Sequence, residues 1–385
     1  MPGSSATAPE SSARNGFRPA VEVPVLPVEP LDTIRVVAST VTSPRITISA
    51  ATDDEDEAAE ELAEWLRSNG AERPFLVASR HGQRLLQAVT GATGAAAPGV
   101  HATQGWARWC SRSARRADTV VAIGGGRCLD AGKLVAVGAG IPFIAVPTQL
   151  SHDGVCSPVS VLPRTVGGVS ESLEAVAPHV AFFSRPTLIR SPIASLRAGI
   201  GDLVANPLAL RDWKLASDAG LERIDRAAWH LSAESFWLVE PLLEERFTSE
   251  CVEPDLIGLL AHALATSGCA MRTVGTSRPA SGAEHKISHA IDELFGPRAH
   301  HGAQVAFASL VSAALHGLDV EGVGRWLVNV GLPHHPHQLG LTNDDLVGVL
   351  LRAPNTRPGR FTILESVCLD RPEAEMLVRS LWSAG

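Results

Sequence analysis

Residues 119–148, "TVVAIGGGRCLDAGKLVAVGAGIPFIAVPT", indicate the fold because they run from an apolar strand through a glycine turn and a helix to a second apolar strand. The runs "TVVAI" and "PFIAV", like "PFLVAS" at 74–79, have the short, continuous apolar character of strands buried on both faces of a parallel sheet. Helical stretches separate the three runs. This alternation of strands and helices predicts an α/β fold.

The 385 residues exceed what one hydrophobic core usually fills, and three segments differ in character. Residues 1–30 hold six of the 26 prolines, with Ser and Ala between them, and are predicted to be a flexible leader. Residues 31–190 are predicted to form an α/β domain around the parallel sheet. Residues 191–385 contain long Ala- and Leu-rich segments with the 3.6-residue apolar period of helices, so a second, all-helical domain is predicted.

Charge and cysteine content limit the class of protein. The net charge of -8 comes from 41 acidic and 33 basic side chains, which argues against a nucleic-acid partner and favours a small molecule. The six cysteines form no CxxC pair, as expected of reduced thiols in the cytoplasm. There is no run of 18 apolar residues and no basic segment followed by an apolar one at the amino terminus, so neither membrane insertion nor secretion is predicted.

Three consecutive glycines, Gly124, Gly125 and Gly126, directly follow the predicted strand and start the next helix. Backbone N–H groups at such a helix start can approach a pyrophosphate closely, and the helix dipole favours its negative charge. The spacing departs from GxGxxG because Leu129 stands at the third glycine position, so a tight turn without a ligand stays open as the alternative. Asp130 is either a cap or ribose contact, or a polar helix residue that faces solvent.

A dense polar loop, "VPTQLSHDGVCSPVS" at 146–160, follows the strand "PFIAV". It comes at the carboxyl end of a predicted strand, where open α/β sheets bind ligands. An ordinary polar surface loop remains the alternative for its hydroxyl side chains. Asp153 beside His152, between Pro147 and Pro158, is the pair that favours a functional site.

Four of the chain's 14 histidines lie within 17 positions of "SGAEHKISHAIDELFGPRAHHGA" at 281–303. On a helix, His285 and His289 are one turn apart on the same face. His301 follows a Gly-Pro break, so a bend can direct it towards the same point. Two histidines and a carboxylate leave an open coordination position on zinc or ferrous iron, and Asp202 in "RAGIGDLVAN" is the candidate carboxylate. Histidines that only fill core or surface positions remain the alternative.

Five segments, in this order, resemble the sn-glycerol-1-phosphate dehydrogenase family within the dehydroquinate synthase-like and iron-containing alcohol dehydrogenase superfamily: "AIGGGRCLDAGK", "VPTQLSHDGVCSP", "GIGDLVAN", "GTSRPASGAEHKISHAIDE" and "HHGAQVAF". The resemblance extends over roughly residues 45–370 and includes "RPGRFTILE" at 357–365. It implies a Rossmann-like nucleotide-binding domain followed by an all-helical metal-binding domain. It also implies NAD or NADP as cofactor and one divalent metal, with zinc favoured over iron or nickel.

Residue by residue, the resemblance implies Asp202, His285 and His301 as the metal ligands. It implies Asp153 and His289 as catalytic residues that bind substrate together with Asp202, and gives His300 no role. The resemblance also implies contacts to the nicotinamide dinucleotide by Gly124, Gly125, Gly126, Arg127, Cys128, Thr148, Gln149, Leu150, Ser151 and Ser157. Asp130 is added to this set as the ribose contact considered above.

These features predict a metal-dependent oxidoreductase that uses NAD(P)H to reduce a hydroxyketone, either dihydroxyacetone phosphate, giving sn-glycerol 1-phosphate, or a related polyol precursor. Arg278 in "TSRPASG" is predicted to contact the phosphate because a guanidinium fork matches phosphate geometry, with a surface ion pair as the alternative. Arg80 follows the strand "PFLVAS", where a cation can accept the 2′-phosphate of NADP or simply begin a solvated helix. The sequence therefore leaves the nicotinamide form open.

One residue departs from the family pattern, because Ala303 follows Gly302 where the family usually has Glu. The change removes a carboxylate expected behind the metal, which can loosen His301 or alter the metal preference. Two alternatives therefore stay open: a dehydroquinate synthase-like cyclase or lyase that uses NAD only transiently, and a catalytically silent paralogue. The sequence predicts neither the product stereochemistry nor whether the chain forms a homo-oligomer.

Overall fold

The first half of the described chain contains a parallel β-sheet. The computed structural model describes residues 45–48, 54–79, 85, 93–96, 102–244, 247 and 254–382, which all belong to one compact unit, Ala38–Gly385. In the described residues the sheet has six strands, in the order β1-β8-β5-β4-β2-β3, and every neighbouring pair is parallel. These strands are β1 (Arg45–Ile48), β2 (Pro74–Ala78), β3 (Thr93–Ala96), β4 (Thr119–Gly124), β5 (Phe143–Pro147) and β8 (Val180–Phe183).

Helices cover both faces of the sheet, which explains the continuous apolar runs of its strands. Successive side chains of a strand point to opposite faces. In β4, Val121 and Ile123 pack in the cluster that includes Leu62 of helix α1 (Glu55–Ser68). Val120 and Ala122 pack in the larger cluster on the other face, where helices α2 (Gln104–Ala114) and α3 (Gly126–Ala139) lie. The three strands predicted from the sequence are therefore β2, β4 and β5.

A buried ion pair fastens a two-stranded ribbon to α3. The ribbon is antiparallel and consists of β6 (Val159–Pro163) and β7 (Ser170–Glu174). Lys133 of α3 is fully buried, and its Nζ donates to the carbonyl oxygens of Gly154 (2.5 Å) and Val159 (2.6 Å). Asp130 Oδ1 lies 3.2 Å from Lys133 Nζ, and Asp130 Oδ2 accepts from the N–H of Val161 at 3.0 Å. These contacts fix the start of the ribbon and the polar loop before it.

After β8, the regular secondary structure of the described residues consists of helices, with no further strand. α5 (Ile193–Val204) packs against α10 (His301–Leu315), α10 packs against α9 (Ala283–Phe295), and α7 (Arg226–Glu244) packs against α8 (Pro254–Val274). None of the helices in the described ranges has the length and apolarity needed to cross a membrane. The helices are α4 (Arg185–Ile189), α5 (Ile193–Val204), α6 (Asn206–Asp218), α7 (Arg226–Glu244), α8 (Pro254–Val274), α9 (Ala283–Phe295), α10 (His301–Leu315), α11 (Val320–Val330), α12 (Asn343–Arg352), α13 (Ile363–Val367) and α14 (Arg371–Trp382).

The order of elements agrees with the predicted order, an α/β part followed by helices. The predicted domains 31–190 and 191–385 stay a prediction, although the last strand of the described residues ends at Phe183 and α5 begins at Ile193. The predicted leader 1–30 and the predicted NADP contact Arg80 lie outside the described residues.

Candidate metal and nucleotide site

Three side chains from three helices converge on one point. Asp202 lies in α5, His285 in α9, and His301 is the first residue of α10, and one ligand atom of each lies within 4.8 Å of the other two. Asp202 Oδ1 is 3.8 Å from His285 Nε2 and 4.0 Å from His301 Nε2. A tetrahedral zinc ion with bonds of about 2.0–2.1 Å holds its ligand atoms roughly 3.4 Å apart, so these separations are slightly wider than a closed site requires.

The buried carboxylate oxygen at this point fits a cation. Asp202 is buried, and its Oδ1 has no hydrogen-bond partner among the described residues. Burial raises the pKa of Asp202 to about 6, because the charged form loses hydration. A divalent ion would restore the lost charge stabilisation. Two imidazole nitrogens and one carboxylate oxygen form a donor set that zinc or ferrous iron accepts with a position left open.

Two glycines allow α5 and α10 to approach closely enough to form this point. A Cβ atom on Gly302 would collide with the carbonyl oxygen of Ala198, and a Cβ atom on Gly201 would lie only 2.8 Å from the carbonyl oxygen of Gly302. A side chain at either position would therefore push the two helix backbones apart. The close contact places Asp202, next to Gly201, beside His301, next to Gly302.

Asp153 connects the polar loop to the metal ligands. Its backbone N–H donates to Asp202 Oδ2 at 2.9 Å, which leaves Oδ1 for the metal point. Its own Oδ2 accepts from the hydroxyl of Ser267 at 2.7 Å. Burial, and next the neighbouring Asp202 charge, raise the pKa of Asp153 well above its usual range. The 3-10 turn Asp153–Val155 thus holds one carboxyl group and orients another.

His285 is oriented by the residue before it. Glu284 Oε1 lies 2.9 Å from His285 Nδ1 and accepts from the N–H of Gly282 at 2.6 Å. Glu284 is fully buried, and this burial, followed by the charge of Asp212, raises its pKa to about 8. With Nδ1 engaged, the Nε2 atom of His285 is presented to Asp202 and His301. A carboxylate behind a ligand histidine fixes the ring and tunes the ligand.

His301 is held by ring contacts. Its ring centroid lies 5.2 Å from that of His285, 6.2 Å from that of His289 and 6.3 Å from that of His152. Among the residues that the structure describes, none donates to or accepts from its ring, and Ala303 offers no group that could. Burial lowers the pKa of His289 to about 3, with the charge of His301 the next cause, so His289 is neutral at physiological pH.

The glycine turn is built so that the polar loop can lie directly against it. A Cβ atom on Gly125 would lie 2.7 Å from Gln149 Nε2, and one on Gly126 would collide with the ring of His152. No side chain caps the start of α3, so the N–H groups of Gly126 and Arg127 remain available for an anion, whereas that of Cys128 donates to the carbonyl oxygen of Gly125. His152 lies between the glycine turn and His301 and thereby connects the predicted nucleotide residues with the metal point.

Comparisons with known proteins agree with this geometry. A family model described as iron-containing alcohol dehydrogenase matches residues 53–191. Glycerol-1-phosphate dehydrogenase, NAD(P)+, from Cenarchaeum symbiosum (strain A) is 39% identical over 259 residues, which are 67% of this chain and 71% of that protein. The enzyme of the same name from Methanospirillum hungatei JF-1 is 35% identical over 274 residues, 71% of this chain and 74% of that protein. The chain belongs to the glycerol-1-phosphate dehydrogenase family.

Solved structures show the same fold. A probable glycerol dehydrogenase from Sinorhizobium meliloti 1021 has a TM-score of 0.72 at 20% identity and covers 88% of this chain and 97% of its own. Glycerol dehydrogenase from Schizosaccharomyces pombe has a TM-score of 0.71 at 18% identity and covers 89% and 90%. The predicted family, the α/β fold with a helical second part and the predicted class of NAD(P)-dependent oxidoreductase are therefore confirmed.

Several predicted nucleotide contacts of this glycerol-1-phosphate dehydrogenase family member have side chains that are used inside the protein. Asp130 holds Lys133 and the N–H of Val161, so it neither faces solvent nor points free for a ribose. Cys128 donates its thiol to the carbonyl oxygen of Val77, and burial raises its pKa to about 12. Ser157 donates to the carbonyl oxygen of Gly154. A ribose contact by Asp130 is not proposed further, and the side chains of Cys128 and Ser157 are hydrogen-bonded within the protein.

The remaining predicted contacts differ in exposure. Arg127 is exposed at the start of α3, whereas Leu150 and Ser151 are buried residues of the polar loop. The N–H of Thr148 donates to the carbonyl oxygen of Gly124 at 3.0 Å, which joins the loop to the glycine turn. Gln149 Oε1 accepts from the hydroxyl of Ser195.

Arg278 has contacts that speak against the predicted phosphate role. It is only 3% exposed, and its Nη2 donates to the carbonyl oxygens of Asp212 (2.9 Å) and Phe361 (2.7 Å). Its Nε lies 2.9 Å from Glu222 Oε2. The ion pair considered as the alternative exists, but it is buried rather than at the surface. Arg278 therefore links Glu222, Asp212 and Phe361 inside the protein.

The sequence interpretation missed four residues near the metal point. They are Glu284 behind His285, Ser267 on Asp153, and two arginines, Arg357 and Arg360, whose positive charges contribute to lowering the pKa of both His285 and His289. The segment "RPGRFTILE" was noted in the family resemblance without a role for either arginine. Glu284 directly precedes His285 in the sequence, and this position could have indicated its role behind the ligand histidine.

Proposed function

We propose that this family member reduces dihydroxyacetone phosphate to sn-glycerol 1-phosphate with NADH or NADPH. The observation that carries the proposal is the convergence of Asp202, His285 and His301 beside a loop that also packs on the glycine turn. The relatives at 34–39% identity are named for glycerol 1-phosphate and for NAD(P)+. The small-molecule substrate would bind between the sheet edge and the helices α5, α9 and α10.

The proposed metal ligands are Asp202 Oδ1, His285 Nε2 and His301 Nε2. We assign zinc in preference to iron or nickel, because two imidazoles and a carboxylate suit zinc with one position open. A bound divalent ion would supply Lewis acidity to a ketone and stabilise the negative charge that hydride addition creates on its oxygen. Asp202 is held for this role by the N–H of Asp153.

Asp153 and His289 have distinct proposed roles. Ser267 occupies Asp153 Oδ2, so Asp153 Oδ1 would accept a hydrogen bond from a substrate hydroxyl and orient the ketone. His289, as a neutral imidazole, has one N–H donor and one acceptor nitrogen. It would therefore pass a proton from water to the substrate oxygen without carrying a lasting charge.

The cofactor is proposed to bind at the amino-terminal end of α3. The free N–H groups at Gly126 and Arg127 would bind the pyrophosphate, and Thr148, Gln149 and Ser151 would lie along the dinucleotide. Residues 31–190 would then be the nucleotide-binding domain and residues 191–385 the metal- and substrate-binding domain. We place the enzyme in the cytoplasm, where the free thiols of the described residues would stay reduced.

Metal analysis and a substrate panel test the proposal together. The purified protein is analysed for zinc, iron and nickel, and then assayed with dihydroxyacetone phosphate and dihydroxyacetone, each with NADH and NADPH. The expected result is about one divalent ion per chain and nicotinamide oxidation with the phosphorylated ketone. The product should resist an enzyme specific for sn-glycerol 3-phosphate. Turnover without net nicotinamide change would instead support a cyclase or lyase, and undetectable nicotinamide binding would support a silent paralogue.

A further inference from the structure

Two arginines meet at the amino-terminal end of the helix that carries His285 and His289. Arg357 Nη1 donates to the hydroxyl of Ser281 at 3.2 Å, and Arg360 Nη1 donates to the carbonyl oxygen of Ser281 at 2.7 Å. Ser281 lies two residues before the first residue of α9, and His285 follows it by four positions. Both guanidinium groups are therefore anchored about one helical turn from the proposed metal ligand His285.

The segment that carries the two arginines is fixed to the same helix. Lys286 is buried, its Nζ donates to the carbonyl oxygen of Arg360 at 3.0 Å, and it is also paired with Glu365. The hydroxyl of Thr356 donates to the carbonyl oxygen of Lys286 at 3.2 Å. Residues 356–360 are thus held against α9 from both ends, which presents the guanidinium groups in a preorganised position.

The acidic groups around this arginine pair are engaged elsewhere. Glu222 pairs with Arg278, Glu365 with Lys286, and Glu284 with His285. Asp212 accepts from the backbone N–H groups of Ala283 and Ile363 and lies 3.0 Å from His316 Nε2.

Within the described ranges, no carboxylate pairs with Arg357 or Arg360. Burial lowers the pKa of Arg357, and the positive charge of Arg278 lowers it further. Arg357 therefore carries a partly buried positive charge without a paired carboxylate in the described ranges. An uncompensated guanidinium beside a substrate site favours an anionic ligand, and its planar fork matches two oxygens of a phosphate.

We propose that Arg357, supported by Arg360, binds the phosphate of a small phosphorylated hydroxyketone whose carbonyl lies at Asp202, His285 and His301, and so selects phosphorylated over unphosphorylated substrates. This assignment rests on the proposed function and replaces Arg278 as the phosphate contact. Arg360 keeps its position through Ser281 and Lys286, whereas Arg357 has only one protein hydrogen bond among the described residues and hence donors left for a ligand.

Discrimination between two substrates tests the proposal. Arg357→Ala and Arg357→Lys are assayed with dihydroxyacetone phosphate and with dihydroxyacetone, using the zinc-loaded enzyme and the preferred nicotinamide. For Arg357→Ala, kcat/KM should fall ~10- to 100-fold for the phosphorylated ketone, as expected for loss of a charge-assisted hydrogen bond, and less than about 2-fold for the unphosphorylated one. Arg357→Lys should recover part of the loss because it keeps the charge without the fork.

The control variant is Arg352→Ala, which removes an exposed arginine of α12 that pairs with Glu293. It should leave both substrates unchanged. An equal loss for both substrates in Arg357→Ala and Arg357→Lys would overturn the proposal, because it would indicate a structural role. Unchanged discrimination in Arg357→Ala would overturn it as well.

A binding measurement separates this proposal from the proposed function. Inorganic phosphate is titrated calorimetrically into zinc- and NAD-loaded wild type and Arg357→Ala. If the wild type fails to reduce dihydroxyacetone phosphate, the proposed function is wrong, yet phosphate binding that weakens ~10-fold or more in the variant would still support an anion site at Arg357. Equal phosphate binding by both proteins would overturn the anion site regardless of activity.

Discussion

Replacement of Gly302 by Ala should damage folding and metal binding together. The new Cβ atom would collide with the carbonyl oxygen of Ala198 and lie 3.0 Å from the Cβ atom of Asp202. The obstacle is helix backbone rather than a flexible side chain, so α5 and α10 must separate, and Asp202 moves with α5. We expect a loss of about 1–3 kcal/mol in the free energy of unfolding, the usual cost of overpacking. The better helix propensity of Ala offsets at most about 1 kcal/mol of this.

The same shift lengthens the distance from Asp202 to His301, which already is 4.0 Å between ligand atoms. Zinc affinity is therefore expected to fall ~10-fold or more, a loss typical of displaced metal-site geometry. Urea unfolding gives the stability of the metal-free protein, and competition with a chelating dye gives the zinc affinity. Both are measured on the same preparation.

Gly348→Ala is the matched control. Gly348 also lies inside a helix, α12, but nothing stands within 4 Å of a Cβ atom built on it. This variant should be unchanged or more stable by up to about 1 kcal/mol, with unaltered zinc affinity. A Gly302→Ala protein as stable as Gly348→Ala, with wild-type zinc affinity, would refute the idea that close contact of α5 and α10 forms the site.

Other substitutions test the ligands and their supports. His285→Ala should lose bound metal and turnover together; a wild-type metal content by mass spectrometry would contradict its assignment. Glu284→Gln keeps an oxygen acceptor for the N–H of Gly282 but cannot ionise behind His285 when a cation binds, so zinc affinity should fall about 10- to 100-fold in a dye competition assay. In metal-free protein the raised pKa of Glu284, about 8, means that the folded state keeps a proton which the unfolded chain has released. Relative to Glu284→Gln, in which the same histidines titrate on unfolding, the stability of the wild type should therefore fall by about 1–2 kcal/mol as pH rises from about 6.5 to 8. Urea titrations of both proteins at both pH values check this difference.

Local patterns were sufficient to predict the sheet and the two halves of the fold. Strands β2, β4 and β5 are buried on both faces, and such strands must be continuously apolar. The glycine turn could be predicted because the close approach of Gln149 and His152 excludes side chains there. The candidate metal ligands combined residue type, helical spacing and family resemblance, and the structure brings those three residues together.

Long-range pairing could not be predicted from those patterns. Arg278 looked available for a phosphate, but Glu222 and two backbone carbonyl groups from distant segments surround it. Asp130 looked like a solvent or ribose contact, but Lys133 and the ribbon bury it. In both cases the side chain interacts with residues that come close to it only in the folded protein.

The three proposed ligands are restrained unequally, and this bears on how the site would work. Glu284 orients His285, and the N–H of Asp153 orients Asp202. The His301 ring makes no hydrogen bond in the described part of the chain, and its side chain is 36% exposed against 11% for His285. Ala303 supplies no carboxylate to this ring, and no hydrogen bond from another described residue takes its place. The rings of His152, on the nucleotide loop, and of His289, on α9, both lie next to the ring of His301. Substrate and exchanging metal should therefore enter beside His301, and the rigid pair Asp202 and His285 should define the position of the ion.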